Sequence, residues 1–425
     1  MEEGLVYDAG AGAGGDRLSD LPDCLLHEIM SRLKARQVVQ TCVLSTRWRG
    51  LWRSVPCLDV DQEEFDTTLA GGGDDNDGSW ETFEDFADNL LCHLNIATLD
   101  SFRLRLVIAS TGRWTRRHSQ DAAASRWIRR AIKYSAQAPA PSVHGEGLRY
   151  WRLRRLHLCN VLLDGRFMEH VSSGCHFLED LVLEDCNCAS PFGRVASETL
   201  KNLVLKGGCS WYPSSEIKTP ALKKLVISSG CCNGNLLITA PALADLDLSL
   251  SDYQLRMPVS LSLGEMPSLA RAVIHLQGLS RMSHRRKLVG TDLDVLRSVS
   301  NVTSLELSGF GIMVPGKQHR KFPEFKNLRT LLLNDCDLGD NFKTLGHFLQ
   351  NSPNLEKLTL RLCKFSSDSE KQKRRMSKSV SPFQCENLKC TEIVYKADDS
   401  NKLVELLVLI PRNQQKNHIE LTEVD

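Results

Sequence analysis

Residues 178–186 read LEDLVLEDC, and the chain returns to this string again and again. LKNLVLKGG begins at Leu200, LKKLVISSG at Leu222 and LADLDLSLS at Leu243. VTSLELSGF follows from Val302, LRTLLLNDC from Leu328 and LEKLTLRLC from Leu355. An earlier copy, LRRLHLCN, starts at Leu153, and a degraded one, LARAVIHLQ, at Leu269. All restate L-x-x-L-x-L-x-x-(N/C), with leucines at alternate positions of what reads as a short strand. One such string would be weak evidence. Seven good copies in order decide the fold.

The pattern is similar to the leucine-rich repeat, in which each unit adds one strand to a continuous parallel sheet and the leucines stack into a quasi-one-dimensional core. The fold class is therefore α/β, an irregular solenoid of horseshoe type. Starts at 178, 200, 222 and 243 lie 22, 22 and 21 residues apart, short enough for minimal turns on the convex side. Elsewhere the gaps stretch to between 25 and 33 residues, leaving room for helices such as GDNFKTLGHFLQNSP. Cys186, Cys336 and Cys363 land on the polar-ladder position that ends a strand, which is a structural role. Neighbours along a strand alternate faces, so the residue between the second and third leucines points out of the concave sheet. Through the repeats that position is His157, Val182, Val204, Val226, Asp247, Glu306, Leu332 and Thr359. Val182, Val204 and Val226 would make an apolar stripe, bordered by Lys206 and Lys224 and by Asp180, Glu184, Asp245 and Asp247. The three valines with Asp247 are the candidate substrate-binding residues.

Upstream stands LSDLPDCLLHEIMSRL, residues 18–33. Ser19 or Asp20 is placed to cap a helix, and Pro22 to sit at or near its first position. Leu21, Leu25, Ile29 and Leu33 recur every four residues, with Leu26 and Met30 widening the stripe. RQVVQTCVL, residues 36–44, reads as a second short helix and STRWRGLWRSV, from Ser45, as a third that Pro56 stops. Three such helices are too small to enclose this many large apolar side chains. The string LPDCLLHEIMSRLKARQVVQTCVLSTRWRGLW resembles an F-box, through its Leu-Pro pair, its Leu/Ile/Leu spacing and its Ser-x-x-Trp followed by Leu-Trp. The resemblance implies docking onto a Skp-type adaptor and, through it, a cullin scaffold. It assigns Leu21, Pro22, Leu25, Ile29, Leu33, Trp48, Leu51 and Trp52 to the adaptor face.

At the other end, NKLVELLVLI reads as a buried helix ended by Pro411 and HIELTEV as a closing strand, together capping the solenoid. This segment resembles the C-terminal region of plant F-box/leucine-rich-repeat proteins, some of which carry an FBD module. RWIRRAIKYSAQA, residues 126–138, is similar to the helix that precedes the repeats in the same proteins. The organisation expected is a disordered terminus over 1–16, an F-box over 17–60 and an acidic linker and lead-in over 61–88. Repeats over 89–397 and a cap over 398–425 complete it.

Across 425 residues the formal net charge is +1, which by itself suggests neither nucleic acid nor a membrane surface. No apolar run approaches the roughly 18 residues of a membrane span, and the first 20 residues are acidic and Gly-rich rather than signal-like. The expectation is an intracellular protein of the cytoplasm, the nucleus or both. KQKRR, residues 371–375, reads as a nuclear import signal or as a solvated loop between repeats. The 15 cysteines include no C-x-x-C pair, so free buried thiols are expected in place of zinc ligands or disulfides. GAGAGG, residues 10–15, satisfies G-x-G-x-x-G but lacks the preceding strand that a dinucleotide site requires. There is no nucleophile elbow, H-E-x-x-H or P-loop, and the 12 histidines are scattered. The chain is read as non-catalytic, with no cofactor and no metal.

The near-zero net charge hides an ordered pattern. Residues 59–88 hold 12 Asp and Glu and no Lys or Arg, whereas residues 103–155 hold 13 Lys and Arg against Asp121 and Glu146. Trp114, Trp127, Tyr134, Tyr150 and Trp151 are interleaved in the basic stretch, as a nucleic-acid reading would require. The favoured alternative is that the acidic linker, with its GGGDDNDG core, lies against the basic first repeats and limits how the F-box swings. The function implied is substrate recognition within a ubiquitin ligase, the F-box holding the adaptor and the repeats an unknown protein substrate. The alternative is a leucine-rich-repeat module gripping nucleic acid, or an interaction protein without ligase function.

Overall fold

The computed structural model describes residues 18, 20–65, 77–95, 99–107, 114–136, 153–189, 192–207, 210–232, 235–251, 260–277, 291–310, 322–340, 342–365, 385–396, 400–410 and 417–424. The expected disordered terminus, most of GGGDDNDG and the KQKRR cluster lie outside them.

Three short helices come first: α1 (Asp23–Met30), α2 (Ala35–Gln40) and α3 (Trp48–Leu51). The first begins one residue later than the sequence suggests. Pro22 itself occupies the N-cap position at φ −57° and ψ 149°, and no side chain caps the turn, so neither Ser19 nor Asp20 plays that part. Pro22 lacks the N–H that a cap would have to leave idle, and its fixed φ suits the entry.

Pro56 ends the helical module and the chain passes directly into β1 (Cys57–Asp61). Twelve further strands follow side by side, all parallel: β2 (Ser101–Arg105), β3 (Arg155–Cys159), β4 (Asp180–Glu184), β5 (Asn202–Lys206), β6 (Lys224–Cys232) and β7 (Asp245–Ser251). The sheet continues through β8 (Arg271–Gln277), β9 (Ser304–Ser308), β10 (Thr330–Asn334), β11 (Lys357–Arg361), β12 (Cys390–Lys396) and β13 (His418–Val424). Leu181, Leu183, Leu203, Leu225, Leu246, Leu305, Leu331 and Leu358 are fully or almost fully buried beneath it, as the alternation requires.

The turn that ends these strands is itself a repeat. Asn160, Asp185, Gly207, Gly309, Asp335 and Leu362 all take positive φ, between 48° and 80°. Each stands three residues after the central outward-facing position of its strand. The left-handed residue swings the chain off the sheet and aims the next side chain inward, which is where Cys186, Cys336 and Cys363 are buried. Their thiols donate to the neighbouring repeat, at Leu158 (3.4 Å), Leu307 (3.5 Å) and Leu333 (3.3 Å) carbonyls. Burial pushes the Cys186 thiol up to about 12. Glycine is required at 207, where a Cβ would meet Asp185 Cα at 2.7 Å.

The convex side departs from expectation. The short returning segments between Leu178 and Leu269 are not bare turns: Phe192–Ala196, Ser210–Lys218, Asn235–Thr239 and Ser260–Leu263 form a second parallel ladder. With only 21 or 22 residues per repeat there is no length for a helix, and extended backbone needs a partner for its N–H and C=O groups. Longer repeats carry helices, namely α6 (Phe167–Gly174), α7 (Thr291–Ser298) and α8 (Lys343–Gln350). Helix α9 (Ser400–Leu409) and strand β13 close the solenoid. That helix is not wholly buried: Leu403 and Leu406 face the core while Val404 and Val408 are exposed.

The acidic lead-in also needs correction. It is structured on both sides of its masked centre, as β1 with the 3-10 turn Gln62–Phe65 and as α4 (Asp77–His93). The boundary at residue 89 falls inside that helix. Helix α5 (Trp114–Ala136) is the basic helix before the repeats, and it packs on α4.

Candidate functional site

Two surfaces offer themselves. The first is the outward side of the helical module. On α1, Leu26 and Met30 are fully buried and pack into one core with Val38, Trp48, Leu51 and Val55. Leu25 and Ile29, one position earlier in each pair, stay 49% and 40% exposed. Beyond α2, Val43 is 82% and Leu44 56% exposed, and Pro22 is exposed at the start of α1. Large apolar side chains left in water on so small a module are an open binding surface.

The structure divides the residues that the sequence assigned to this surface. Pro22, Leu25 and Ile29 face outward. Leu21, Leu33 and Trp52 are partly buried against the core, and Trp48 and Leu51 are 2% and 8% exposed, within it. Trp48 and Leu51 are therefore corrected from surface to core, because Leu26 and Met30 need a partner and only α3 and Val55 supply one. Val43 and Leu44 were missed; they lie outside the leucine stripe, and consecutive apolar residues carry no periodic signal. His27 Nε2 locks α1 to α3 through the Leu51 carbonyl (3.2 Å) and Ser54 Oγ (3.1 Å).

The module does not hang from a loose tether. Lys34 Nζ donates to Asp61 Oδ2 at 2.7 Å, and the Asp61 side chain is 4% exposed. Its other oxygen accepts the Glu63 N–H at 3.0 Å. The Asp61 hydrogen bond raises the Lys34 pKa. Arg36 lies over the Phe65 ring at 4.7 Å and donates to the Glu64 carbonyl. The Asn95 N–H donates to the Arg53 carbonyl at 2.7 Å.

The acidic and basic blocks neutralise one another nearby. Asp59 pairs with Arg103 (3.5 Å), Glu63 with Arg105 (2.9 Å), and Arg126 with Glu84 (3.3 Å) and Asp88 (3.1 Å). Trp127 is 2% exposed and donates its indole N–H to Asp88 at 2.6 Å. It stacks among Trp80 and Phe83, so it offers no face to a base. Trp114, Tyr134, Tyr150 and Trp151 have side chains outside the described residues.

The second surface is the outward face of the sheet. Its central row runs in register through Asp59, Arg103, His157, Val182, Val204, Val226, Asp247, Val273, Glu306, Leu332, Thr359, Glu392 and Glu420. Val182, Val204, Val226 and Asp247 do stand side by side, all half-buried. Val273 extends the row and was missed because its repeat has Ala272 where a leucine is expected; it is 3% exposed, whereas its four neighbours are half-buried. On one side of the valines, Glu184 accepts from Lys206 (3.0 Å) and meets His157 (3.1 Å). Burial raises the Glu184 pKa, but these two hydrogen bonds outweigh it and leave it lowered. On the other side, Asp180 accepts from Asn202, and Asp245 pairs with Arg271 (2.9 Å) and Lys224 (3.9 Å).

Comparison with known proteins agrees with this anatomy. Residues 18–59 match the F-box domain, and residues 106–254 match the leucine-rich repeats described for FBD-associated F-box protein At5g56370. The rice MEIOTIC F-BOX protein MOF (Oryza sativa subsp. japonica) is 32% identical over 94% of this chain and 85% of its own length. From Arabidopsis thaliana, F-box/FBD/LRR-repeat protein At5g22660 is 28% identical over 90% of this chain and 84% of its own. A second Arabidopsis relative, F-box/FBD/LRR-repeat protein At5g22700, is 28% identical over 89% and 86%. A helical module matching the F-box, a parallel repeat sheet and likeness along nearly the whole length leave one assignment: the chain belongs to the plant family of F-box/leucine-rich-repeat proteins that includes the FBD-associated members.

Proposed function

We propose that this protein is a substrate-recognition subunit of a Skp adaptor–cullin–F-box ubiquitin ligase. The observation that carries the reading is the exposed apolar set Pro22, Leu25, Ile29, Val43 and Leu44 on a module seated firmly at one end of a recognition solenoid. The adaptor covers that set, the cullin follows through the adaptor, and the repeats hold the protein to be modified. The chain contributes no catalytic group of its own. It raises the effective concentration of a substrate lysine near activated ubiquitin, which is a gain from proximity alone. The same reading places it in the cytoplasm, the nucleus or both. The nucleic-acid alternative loses support from Arg103, Arg105 and Arg126, which are spent on Asp59, Glu63, Glu84 and Asp88.

The test uses a purified Skp-type adaptor. Leu25→Asp with Ile29→Asp should leave the circular dichroism unchanged and weaken adaptor binding by at least about 100-fold, since two anchors at an interface centre are lost. Adaptor retained at wild-type strength by the folded double variant would refute the docking face.

A further inference from the structure

Asp247 is the odd member of the outward face. Between Asp59 and Glu392 every other carboxylate of the three outward rows has a hydrogen-bond or ion-pair partner. Asp59 has Arg103, Asp61 has Lys34, Asp180 has Asn202, Glu184 has Lys206, Asp245 has Arg271, Glu306 has His275 and Glu392 has Lys357. Among the described residues Asp247 has none. It stands half-buried in the apolar row, with Val226 on one side and Val273 on the other. Along its own strand its outward neighbours are Ser249 and Asp245, and the latter already engages two cations. The cations bordering the valines are likewise taken, Lys206 by Glu184 and Lys224 and Arg271 by Asp245. The stripe therefore ends in one uncompensated negative charge.

Resting on the receptor reading above, we infer that this face takes an extended peptide segment of a protein partner. Its pattern is apolar–x–apolar–x–Lys or Arg, with the apolar side chains on Val182, Val204 and Val226 and the cation on Asp247. The spacing is set by the sheet. Three strand steps of about 4.8 Å separate Val182 from Asp247, roughly 14 Å, and an extended peptide covers that distance in about four residues with alternate side chains facing down. A half-desolvated carboxylate flanked by valines favours a cation whose stem is apolar, because the methylenes of lysine or arginine cover the valines while the head reaches the charge.

The experiment selects heptapeptides from a random phage-displayed library on the full chain held in complex with purified adaptor. Selected peptides should share two apolar positions at i and i+2 and a lysine or arginine at i+4. Asp247→Asn should weaken a selected peptide about tenfold, the usual loss for one hydrogen bond to a charged group. Asp247→Lys should turn the selected i+4 preference to Asp or Glu, and Val204→Glu should abolish binding while adaptor binding persists. Failure to bind adaptor at all would refute the receptor reading itself. An intact adaptor complex that selects no consensus, or one whose basic preference survives Asp247→Asn, overturns the inference alone. So does a chain that self-associates through this face, detected as a dimer in light scattering that Val204→Glu dissociates.

Discussion

The junction between the helical module and the sheet rests on one partly buried ion pair, and breaking it from either side should give different results. Lys34→Met removes the only described cation on Asp61, whose side chain is 4% exposed and keeps just the Glu63 N–H. Losing one partner of a fully buried pair costs about 3–5 kcal/mol. Here the Lys34 side chain is 39% exposed, so water reaches the vacated position and the cost falls to about 1–3 kcal/mol. Asp61→Asn keeps an acceptor for Glu63 and leaves only a solvent-accessible ammonium, at about 1 kcal/mol. The double variant strands no buried charge, so it should be more stable than Lys34→Met alone. Amide hydrogen exchange over residues 23–61, read against β9 and β10 as an internal reference, measures the effect where it occurs. The pair also fixes a pH dependence. Lys34 has a raised pKa in the fold, so its contribution is fully present below its ordinary 10.5 and is lost as pH rises through the higher folded value. Strictly additive variants, or Lys34→Met without faster exchange in β1, would show that the module is held by something else.

Other expectations are simpler to state. Gly207→Ala forces a left-handed residue to carry a Cβ against the Asp185 backbone and should cost about 2–4 kcal/mol in urea unfolding, whereas Gly50→Ala, with open space around it, should stabilise α3 by up to about 1 kcal/mol. Leu362 has φ 50° at the equivalent turn, so Leu362→Gly should gain about 0.5–1 kcal/mol; a loss of stability would mean that its side chain matters more than its backbone. Burial raises the Asp340 pKa, and its Oδ1 has no partner among the described residues, so this group favours the fold more as pH falls from the folded value toward 3.8. Asp340→Asn should flatten that slope in acid titrations monitored by fluorescence, and an unchanged slope would assign it to another carboxylate.

What could be read from the sequence followed from repetition. Period-two leucines fix both the strand and its register, so Val182, Val204, Val226 and Asp247 fell in one row as expected. β1 escaped because CLDVD has the alternation of Leu58 and Val60 but no lead-in leucine, and its acids drew it into a linker reading. In the F-box the leucine stripe announces a helix without saying which edge is covered. Leu25 and Leu26 are chemically alike; the choice between them is made by Trp48, Leu51 and Val55 arriving from another helix. Carboxylates with and without partners are also indistinguishable in sequence, since pairing depends on which strand lies alongside.

The second ladder on the convex side has a consequence for curvature. A solenoid bends when its two sides advance by different amounts per repeat. Strands advance about 4.8 Å, whereas a helix is about 10 Å across. Where α6, α7 and α8 line the outer side, the repeats must fan and the sheet must bow. Between Phe192 and Leu263 both sides are strands, so nothing drives them apart and the stack runs nearly straight. The valine row crosses this stretch. A rod-like ligand meets a flat bed there, and a globular one would find its cradle further along, from β9 onward.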